Sequence, residues 1–208
     1  MLGELLGSLE VARSDATDGT DDDQATTLWR ACNNGLETVA LLLLDAGIED
    51  VDAKSLDNGT TPLWQACAYE LWKVALRLID TGIADVDAKN TEDGTTPLWQ
   101  ACRSGREEVA LRLLDTGDVD VDAKSTTNGI TPLWLACCKG LETVALRLLE
   151  IGVADVDADH ITNGTTPLYC ACEKGLATVA LRLLDTGVVD VDAKHTTYGT
   201  TPLWWACY

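Results

Sequence analysis

The apolar residues of this chain fall on short stripes with helical spacing, separated by polar segments. In the segment GTTPLWQACRSG, Leu98, Ala101 and Cys102 recur at i, i+3 and i+4, which predicts a helix with one buried face. Thr96 is a suitable N-cap, and Pro97 stands at the first helical position, where a missing N–H is harmless. The segment therefore predicts a short first helix.

A second helix and a finger are predicted directly after the first. Gly105 supplies the left-handed residue that ends a helix at a tight turn, and Gly117 closes the next helix in the same way. The segment REEVALRLLDTG between them has one apolar stripe. That stripe consists of Val109, Ala110, Leu113 and Leu114. The polar residues that follow, DVDVDAKSTTN, predict an extended finger with a hairpin tip.

This unit recurs at an interval of 35 residues. The segment GTTPLWQAC stands at 59–67 and again at 94–102, and looser copies follow at 129–137, 164–172 and 199–207. The pattern predicts five helix pairs and a sixth first helix without its partner. Such a period predicts a solenoid in which each copy packs on its neighbours, and five pairs exceed the roughly three needed for a stable stack.

The chain before the first copy has a different pattern. Its leucines have the spacing of one degenerate second helix that would cover the first pair, and the acidic stretch 14–24 predicts a loop. These leucines are Leu2, Leu5, Leu6 and Leu9. The predicted organisation is a capping helix and acidic loop over 1–25 and a repeat array over 26–208.

The repeated unit resembles the ankyrin repeat. TPL opens each later first helix and GxxDVDA follows the second, and that family's signature is Thr-Pro-Leu-His-x-Ala on a period of 33. The resemblance covers about residues 26–208. It implies an all-α repeat solenoid of helix-turn-helix pairs with short β-hairpin fingers, and a role as a protein-binding scaffold.

Three departures from the family pattern matter. The longer period places one extra residue after the closing Gly and one in the finger, so fingertip contacts cannot be transferred residue by residue. Glu70 replaces the Gly of the helix turn, which should cost about 1–2 kcal/mol if the left-handed conformation is kept. Aromatic residues replace the family's His, which bonds neighbouring loop backbone; an indole N–H can do the same while its ring fills space between copies. These residues are Trp29, Trp64, Trp99, Trp134, Tyr169 and Trp204.

Net charge narrows the choice of partners. The formal charge is -19, with 15 Lys and Arg against 34 Asp and Glu. Such a chain repels nucleic acid and anionic membrane surfaces, so neither is expected as a partner. A protein or peptide partner should be basic if charge decides the interaction, and cations remain possible partners. Part of the acidity can serve solubility alone.

Location and redox state follow from other features. No apolar run reaches the ~18 residues of a membrane span, and the start, with Glu4 and no basic region, argues against a secretory signal. Six of the eight cysteines occupy one repeated position, where stacked thiols should lie ~8–10 Å apart, too far for a disulfide. These are Cys32, Cys67, Cys102, Cys137, Cys172 and Cys207. We expect small buried thiols in a reducing, cytoplasmic protein rather than a metal or redox site.

Other chemistry has weaker support. Aspartates repeat in pairs at i and i+2 of each finger and could attract Ca²⁺, but no EF-hand loop is present and such side chains also tie down loop backbone. The pairs are Asp50/Asp52, Asp85/Asp87, Asp120/Asp122, Asp155/Asp157 and Asp190/Asp192. His160 and His195 are equivalent fingertip residues rather than a catalytic relay. We therefore expect no enzyme, no cofactor and no dedicated metal site.

The residues that differ between copies are the candidates for partner binding. By resemblance, first-helix and fingertip positions line the concave groove, although variation there can also mean that nothing constrains them. The candidates are Arg30, Gln65, Tyr69, Gln100, Arg103, Leu135, Lys139, Cys170, Lys174, His160, His195, Tyr198 and Trp205. Tyr69, Tyr198 and Trp205 are the strongest if exposed, because aromatic residues dominate binding energy.

Three functions remain open. The leading hypothesis is a non-enzymatic intracellular module that presents an acidic concave face to a protein or peptide. The second is a structural unit that assembles head to tail, because the unpartnered last helix and the helix-like start are complementary. The third is a truncated chain or a consensus-like designed scaffold, as near-identical copies would suggest. An enzyme ranks last.

Overall fold

The computed structural model describes residues 26–48, 50–153 and 155–207, and over these ranges it contains eleven α-helices and no β-strand. The first helices are α1 (Thr27–Asn33), α3 (Pro62–Ala68), α5 (Pro97–Arg103), α7 (Pro132–Lys139), α9 (Pro167–Glu173) and α11 (Pro202–Ala206). The second helices are α2 (Glu37–Asp45), α4 (Trp72–Thr81), α6 (Glu107–Thr116), α8 (Glu142–Ile151) and α10 (Ala177–Asp185). The described residues thus contain five helix pairs and a sixth first helix. The predicted capping helix and acidic loop lie outside the described residues.

Each first helix begins in the same way. The Thr96 hydroxyl accepts a hydrogen bond from the backbone N–H of Trp99 at 3.3 Å, which satisfies one of the free donors of the first turn. Pro97 then holds the first helical residue in helical geometry. The turn to the second helix passes through Gly105, whose φ is +71°. The predicted cap and turn of this copy are therefore confirmed.

The hydrophobic core runs through the five helix pairs, from Leu28 to Leu183. Leu98 and Cys102 of α5 and Val109 and Leu113 of α6 are almost completely buried. The apolar stripes of the two helices of a pair therefore pack against each other. First helices also contact the first helices of adjacent copies, and second helices contact second helices. Burial of a leucine side chain is worth about 1.5–3 kcal/mol. The stack is therefore held by packing within pairs and between neighbours, as the solenoid prediction requires.

The fingers differ from the expected β-hairpins. In the finger between α4 and α5, the backbone N–H of Asn90 donates to the Thr95 carbonyl at 2.9 Å, and that of Gly94 donates to the Asn90 carbonyl at 2.8 Å. These two bonds close a turn, but they are too few to form a strand ladder. A third bond, from Thr91 N–H to the Asn58 carbonyl at 2.8 Å, joins the tip to the preceding finger. The fingers are hydrogen-bonded turns stacked tip on tip.

Glu70 adopts the left-handed conformation that its position demands. Its φ is +63°, and it is the one described non-glycine residue with a positive φ. The equivalent residue of the next copy is Gly105, with almost the same angle. A side chain in this conformation is strained by about 1–2 kcal/mol, because its Cβ approaches the following carbonyl oxygen. The expected strain is therefore present in the second copy.

We predict that Glu70→Gly stabilises the chain. Relief of the strain should raise the free energy of unfolding by about 1 kcal/mol, after allowance for the greater freedom of glycine in the unfolded state. Urea unfolding measures the difference, and Gly105→Glu is the matched control. A Cβ at Gly105 would meet nothing within 4 Å, so this variant tests backbone strain alone and should be destabilised by a similar amount. Unchanged midpoints in both variants would contradict the prediction.

Candidate partner-binding face

In every first helix but the last described one, the aromatic residue joins its copy to the next. The Trp99 indole N–H donates to the Ile130 carbonyl of the following copy at 3.0 Å. The same bond runs from Trp64 to the Thr95 carbonyl at 3.0 Å and from Trp134 to the Thr165 carbonyl at 2.8 Å. All three rings are buried, and each therefore packs between copies while its polar atom is satisfied. The predicted structural role of these tryptophans is confirmed.

The repeated aspartates anchor loop backbone across the copies. Asp87 Oδ1 accepts the backbone N–H of Asp120 at 2.8 Å, and Asp120 Oδ1 accepts the backbone N–H of Asp122 at 3.0 Å. Lys89 Nζ lies 2.6 Å from the other oxygen of Asp120. Desolvation raises the pKa of Asp87, while the bond from Asp120 and the charge of Lys89 oppose that rise. The carboxylate oxygens of Asp87 and Asp120 are therefore already bonded to loop N–H groups and to Lys89.

Metal binding gains no geometric support from these loops. Among the described residues, no group of three or more His, Cys, Asp or Glu side chains is placed to hold a metal ion. Equivalent loops repeat the backbone contacts, with Asp85 N–H on Asp52 at 2.8 Å and Asp190 N–H on Asp157 at 3.0 Å. The aspartate pairs therefore act as connectors between fingers in this part of the chain.

Four predicted partner-binding residues are buried rather than exposed. Gln65, Gln100, Leu135 and Cys170 share one repeat position and are only 2–4% exposed. The Gln65 side-chain N–H donates to the Thr60 hydroxyl at 2.9 Å, while its buried Oε1 has no hydrogen-bond partner among the described residues. The expectation that these four side chains line an open groove is wrong.

Other predicted residues do lie on the surface, at the ends of the first helices. Arg103, Lys139 and Lys174 are exposed, and Tyr69 stands in the corresponding turn with 51% of its surface exposed. Arg30 is half-buried in the first copy. We call Tyr69, Arg103, Lys139 and Lys174 the inner row. Cations at helix C-termini also interact favourably with the helix dipole, so stability alone accounts for part of this charge.

The two histidines pack against rings. His160 lies against the first-helix aromatic of its own copy, with centroids 5.5 Å apart, and His195 lies 6.0 Å from Tyr169. Tyr198, 75% exposed, stacks on His195 at 4.6 Å. Trp205 is half-buried, edge-on to Tyr169 at 6.4 Å, and its N–H has no partner among the described residues. The contacts among Tyr169, His195, Tyr198 and Trp205 form an aromatic cluster on the last two described copies.

The sequence reasoning did not separate two cysteines from the other six. Cys138 and Cys170 lie outside the repeated position, on α7 and α9, and these two helices are in contact. The neighbouring Cys170 thiol and Lys174 lower the pKa of Cys138, whereas the neighbouring Cys138 thiol and burial raise that of Cys170.

Stacked helix pairs linked by hydrogen-bonded fingers define a helical repeat protein of the solenoid class. The family model described as ankyrin repeats matches residues 73–160 and 147–208, and the chain belongs to this family. No curated protein matches the chain significantly. Ankyrin repeats generally mediate protein–protein interaction, and the family is typically non-enzymatic. No helix among the described residues is long and apolar enough to cross a membrane.

We predict that Asp87→Asn stabilises the array at neutral pH. The amide oxygen still accepts the Asp120 N–H, but the desolvated charge near Asp85 and Asp120 is gone. Because Asp87 is only partly buried, the gain should be about 0.5 kcal/mol. Urea unfolding should show no such gain for Asp118→Asn, an exposed residue whose substitution changes net charge equally.

The pH dependence has a defined sign. A raised pKa means that the folded state binds the proton of Asp87 first, so the free energy of unfolding rises as pH falls from neutral toward the ordinary aspartate value of about 3.9. Below both pKa values the contribution is constant. Asp87→Asn should flatten this part of the pH profile, and an unchanged profile would contradict the assignment.

Proposed function

We propose that this chain is a non-enzymatic binding module that takes up a protein or peptide on the face formed by the inner row and the fingertips. The observation that carries the proposal is that Tyr69, Arg103, Lys139 and Lys174 are all exposed where the first helices of successive copies end. Tyrosine and arginine are the residues that dominate binding energy at protein interfaces. The aromatic cluster at Tyr198 extends the same face on the last two copies.

The charge of this face supports a basic partner at the fingers. Asp57 and Glu92 are exposed at the tips of the first two fingers. Leu56, the residue before Asp57, is also exposed. The inner row is itself basic, so the acidic part of the proposed face comes from the fingers. A partner with basic residues toward the tips and acidic or polar residues toward the inner row complements both.

All eight cysteines are free, which supports a reducing compartment.

Peptides selected from a randomised library on the full chain test the proposal. We expect Tyr69→Ala and Arg103→Ala to weaken binding of the selected peptides by about tenfold each, because both truncations remove large exposed side chains. Binding should also weaken as ionic strength rises. Lys73→Ala is the control, since Lys73 lies on the opposite helix of the second copy and is well exposed. Peptides that lose affinity through Lys73 and not through the inner row would place the site elsewhere.

Head-to-tail assembly is a second candidate, favoured by the last described helix. Leu203 is 67% exposed, whereas the equivalent Leu98 is completely buried. Beside it lies an open apolar cavity of about 240 Å³, lined in part by Leu184 and Val191. In the inner copies a second helix covers this face. The N-terminal segment of a second molecule has the leucine spacing of such a helix, and we propose it as the occupant.

Sedimentation across a range of concentrations tests this candidate. We expect mass to rise with concentration and Leu203→Lys to weaken association at least tenfold, about 1.4 kcal/mol. Leu6→Lys should have the same effect, because it changes the proposed occupant. Leu56→Lys, at an exposed fingertip, is the control and should leave association unchanged. A mass that stays monomeric at every concentration would remove this candidate without affecting the binding module.

A further inference from the structure

A row of ion pairs joins successive fingers and is interrupted at one place. In each pair, the lysine of one finger lies against the first aspartate of the next finger. The pairs are Lys54 with Asp85 at 3.0 Å, Lys89 with Asp120 at 2.6 Å and Lys124 with Asp155 at 3.2 Å. In the fourth finger, Asp159 occupies the position of these lysines. A carboxylate therefore replaces the ammonium group between the fourth and fifth fingers.

The backbone at this place has the same arrangement as in the other fingers. The Asp190 N–H donates to Asp157 Oδ2 at 3.0 Å, and the Thr196 N–H donates to the Asn163 carbonyl at 2.9 Å. The first and second fingers are joined by the same two bonds, each at 2.8 Å. Because the backbones correspond, Asp159 lies opposite Asp190, where the preceding fingers place a lysine opposite an aspartate. We call Asp157, Asp159 and Asp190 the acidic gap.

The acidic gap lacks the cation that the other fingers have. Among the described residues, no lysine or arginine forms an ion pair with Asp159 or Asp190. Both aspartates are exposed, whereas the aspartates that pair with lysine are half-buried. One oxygen of Asp157, Oδ1, is buried and has no hydrogen-bond partner in the described part of the chain. The carboxylates of the gap are therefore short of a donor and of a positive charge.

The electrostatic surroundings of Asp157 agree with this geometry. Desolvation raises the pKa of Asp157, and the charges of three neighbouring aspartates raise it further, against the lowering effect of the N–H bond from Asp190. At the equivalent Asp87, the charge of Lys89 acts in the opposite direction and lowers the pKa. The negative charge at the acidic gap is thus concentrated where the preceding fingers neutralise it.

We propose that the acidic gap binds a lysine or arginine side chain of the partner, which takes the place that a lysine of the chain itself fills between the other fingers. Three equivalent places hold an ammonium group 2.6–3.2 Å from the corresponding carboxylate, so the fold already shows which chemistry fits. Hydrogen bonds between charged groups are the stronger ones, and complementary charge gives specificity. The proposal rests on the binding module proposed above and names the group that its basic partner presents at the fingers.

A metal ion fits this place less well than an organic cation. No three His, Cys, Asp or Glu side chains of the described ranges are placed to hold a metal ion together. Calcium requires six to eight oxygen ligands in one shell, whereas a side-chain cation needs only the one or two carboxylates that flank it. The acidic gap therefore favours a basic side chain, and calcium is a separate arm of the test.

The test is a titration of the isotope-labelled full-length chain with a short basic peptide, followed by NMR of the backbone amides. The probe is Gly-Arg-Gly-Arg-Gly, acetylated and amidated, and the control peptide carries neutral citrulline in place of arginine. We expect saturable shifts of the Asp190 and Asp192 amides with the arginine peptide alone. Calcium should leave these amides unshifted, and saturation by calcium at micromolar concentration would overturn the proposal in favour of a metal site.

Two substitutions close the acidic gap and open a second one. Asp159→Lys restores the residue of the other fingers and should weaken binding of the arginine peptide at least about fivefold, because the chain then supplies its own cation. Asp118→Lys is the matched control, since Asp118 is exposed and the net charge changes equally. Lys124→Asp copies the gap between the third and fourth fingers and should add a saturable shift at the Asp155 amide. Unchanged affinity in Asp159→Lys, or equal loss in Asp118→Lys, would overturn the proposal.

Urea unfolding shows whether Asp159 faces Asp190 in solution. Asp159→Lys should raise the unfolding midpoint and Lys124→Asp should lower it, because the first change makes an ion pair and the second removes one. A midpoint that does not rise in Asp159→Lys would contradict the placement on which the gap depends. None of these measurements involves the inner row, so failure here leaves the binding module standing, and failure of the Tyr69 and Arg103 variants leaves the acidic gap standing.

Discussion

The rest of the structure depends on one constraint, which is that each copy satisfies the buried polar groups of its neighbour. The Trp99 indole finds its acceptor at Ile130, and Asp87 receives its N–H from Asp120, in both cases one copy further on. An indole N–H left without a partner in the interior would cost about 1–3 kcal/mol. Because these bonds need the next copy at a fixed displacement, they hold the period constant along the array.

Local chemistry made the helix pairs predictable. A Thr-Pro start, an apolar stripe and a closing Gly act within a few residues, so Thr96, Gly105 and Gly117 could be assigned from sequence alone. Burial between copies could not be assigned in this way. Gln65 is polar and variable, which predicted an exposed side chain, yet it is buried. The fingers were misjudged for a similar reason, since only two bonds close each turn and a third runs to the neighbouring tip.

The candidate binding face consists of side chains that are not buried in the interfaces between copies. Gln65 and Gln100, at the seventh position counted from the Gly that opens each copy, are buried inside the stack. Arg103 and Lys139, at the ends of first helices, are exposed to solvent. Exposed ion pairs between copies, such as Arg77 with Asp45 at 3.0 Å, add little stability individually. These exposed pairs therefore contribute much less to the stability of the stack than the buried packing between copies does.

The same displacement that repeats equivalent contacts also decides which positions are accessible. Cys102 and Cys137 occupy the repeated position inside the stack and are completely buried, whereas Cys138, one residue further along α7, is half-buried. Accessibility in a repeat protein of this kind therefore follows from the place of a residue in the stack. Variation has to be compared across the interfaces between copies as well as position by position.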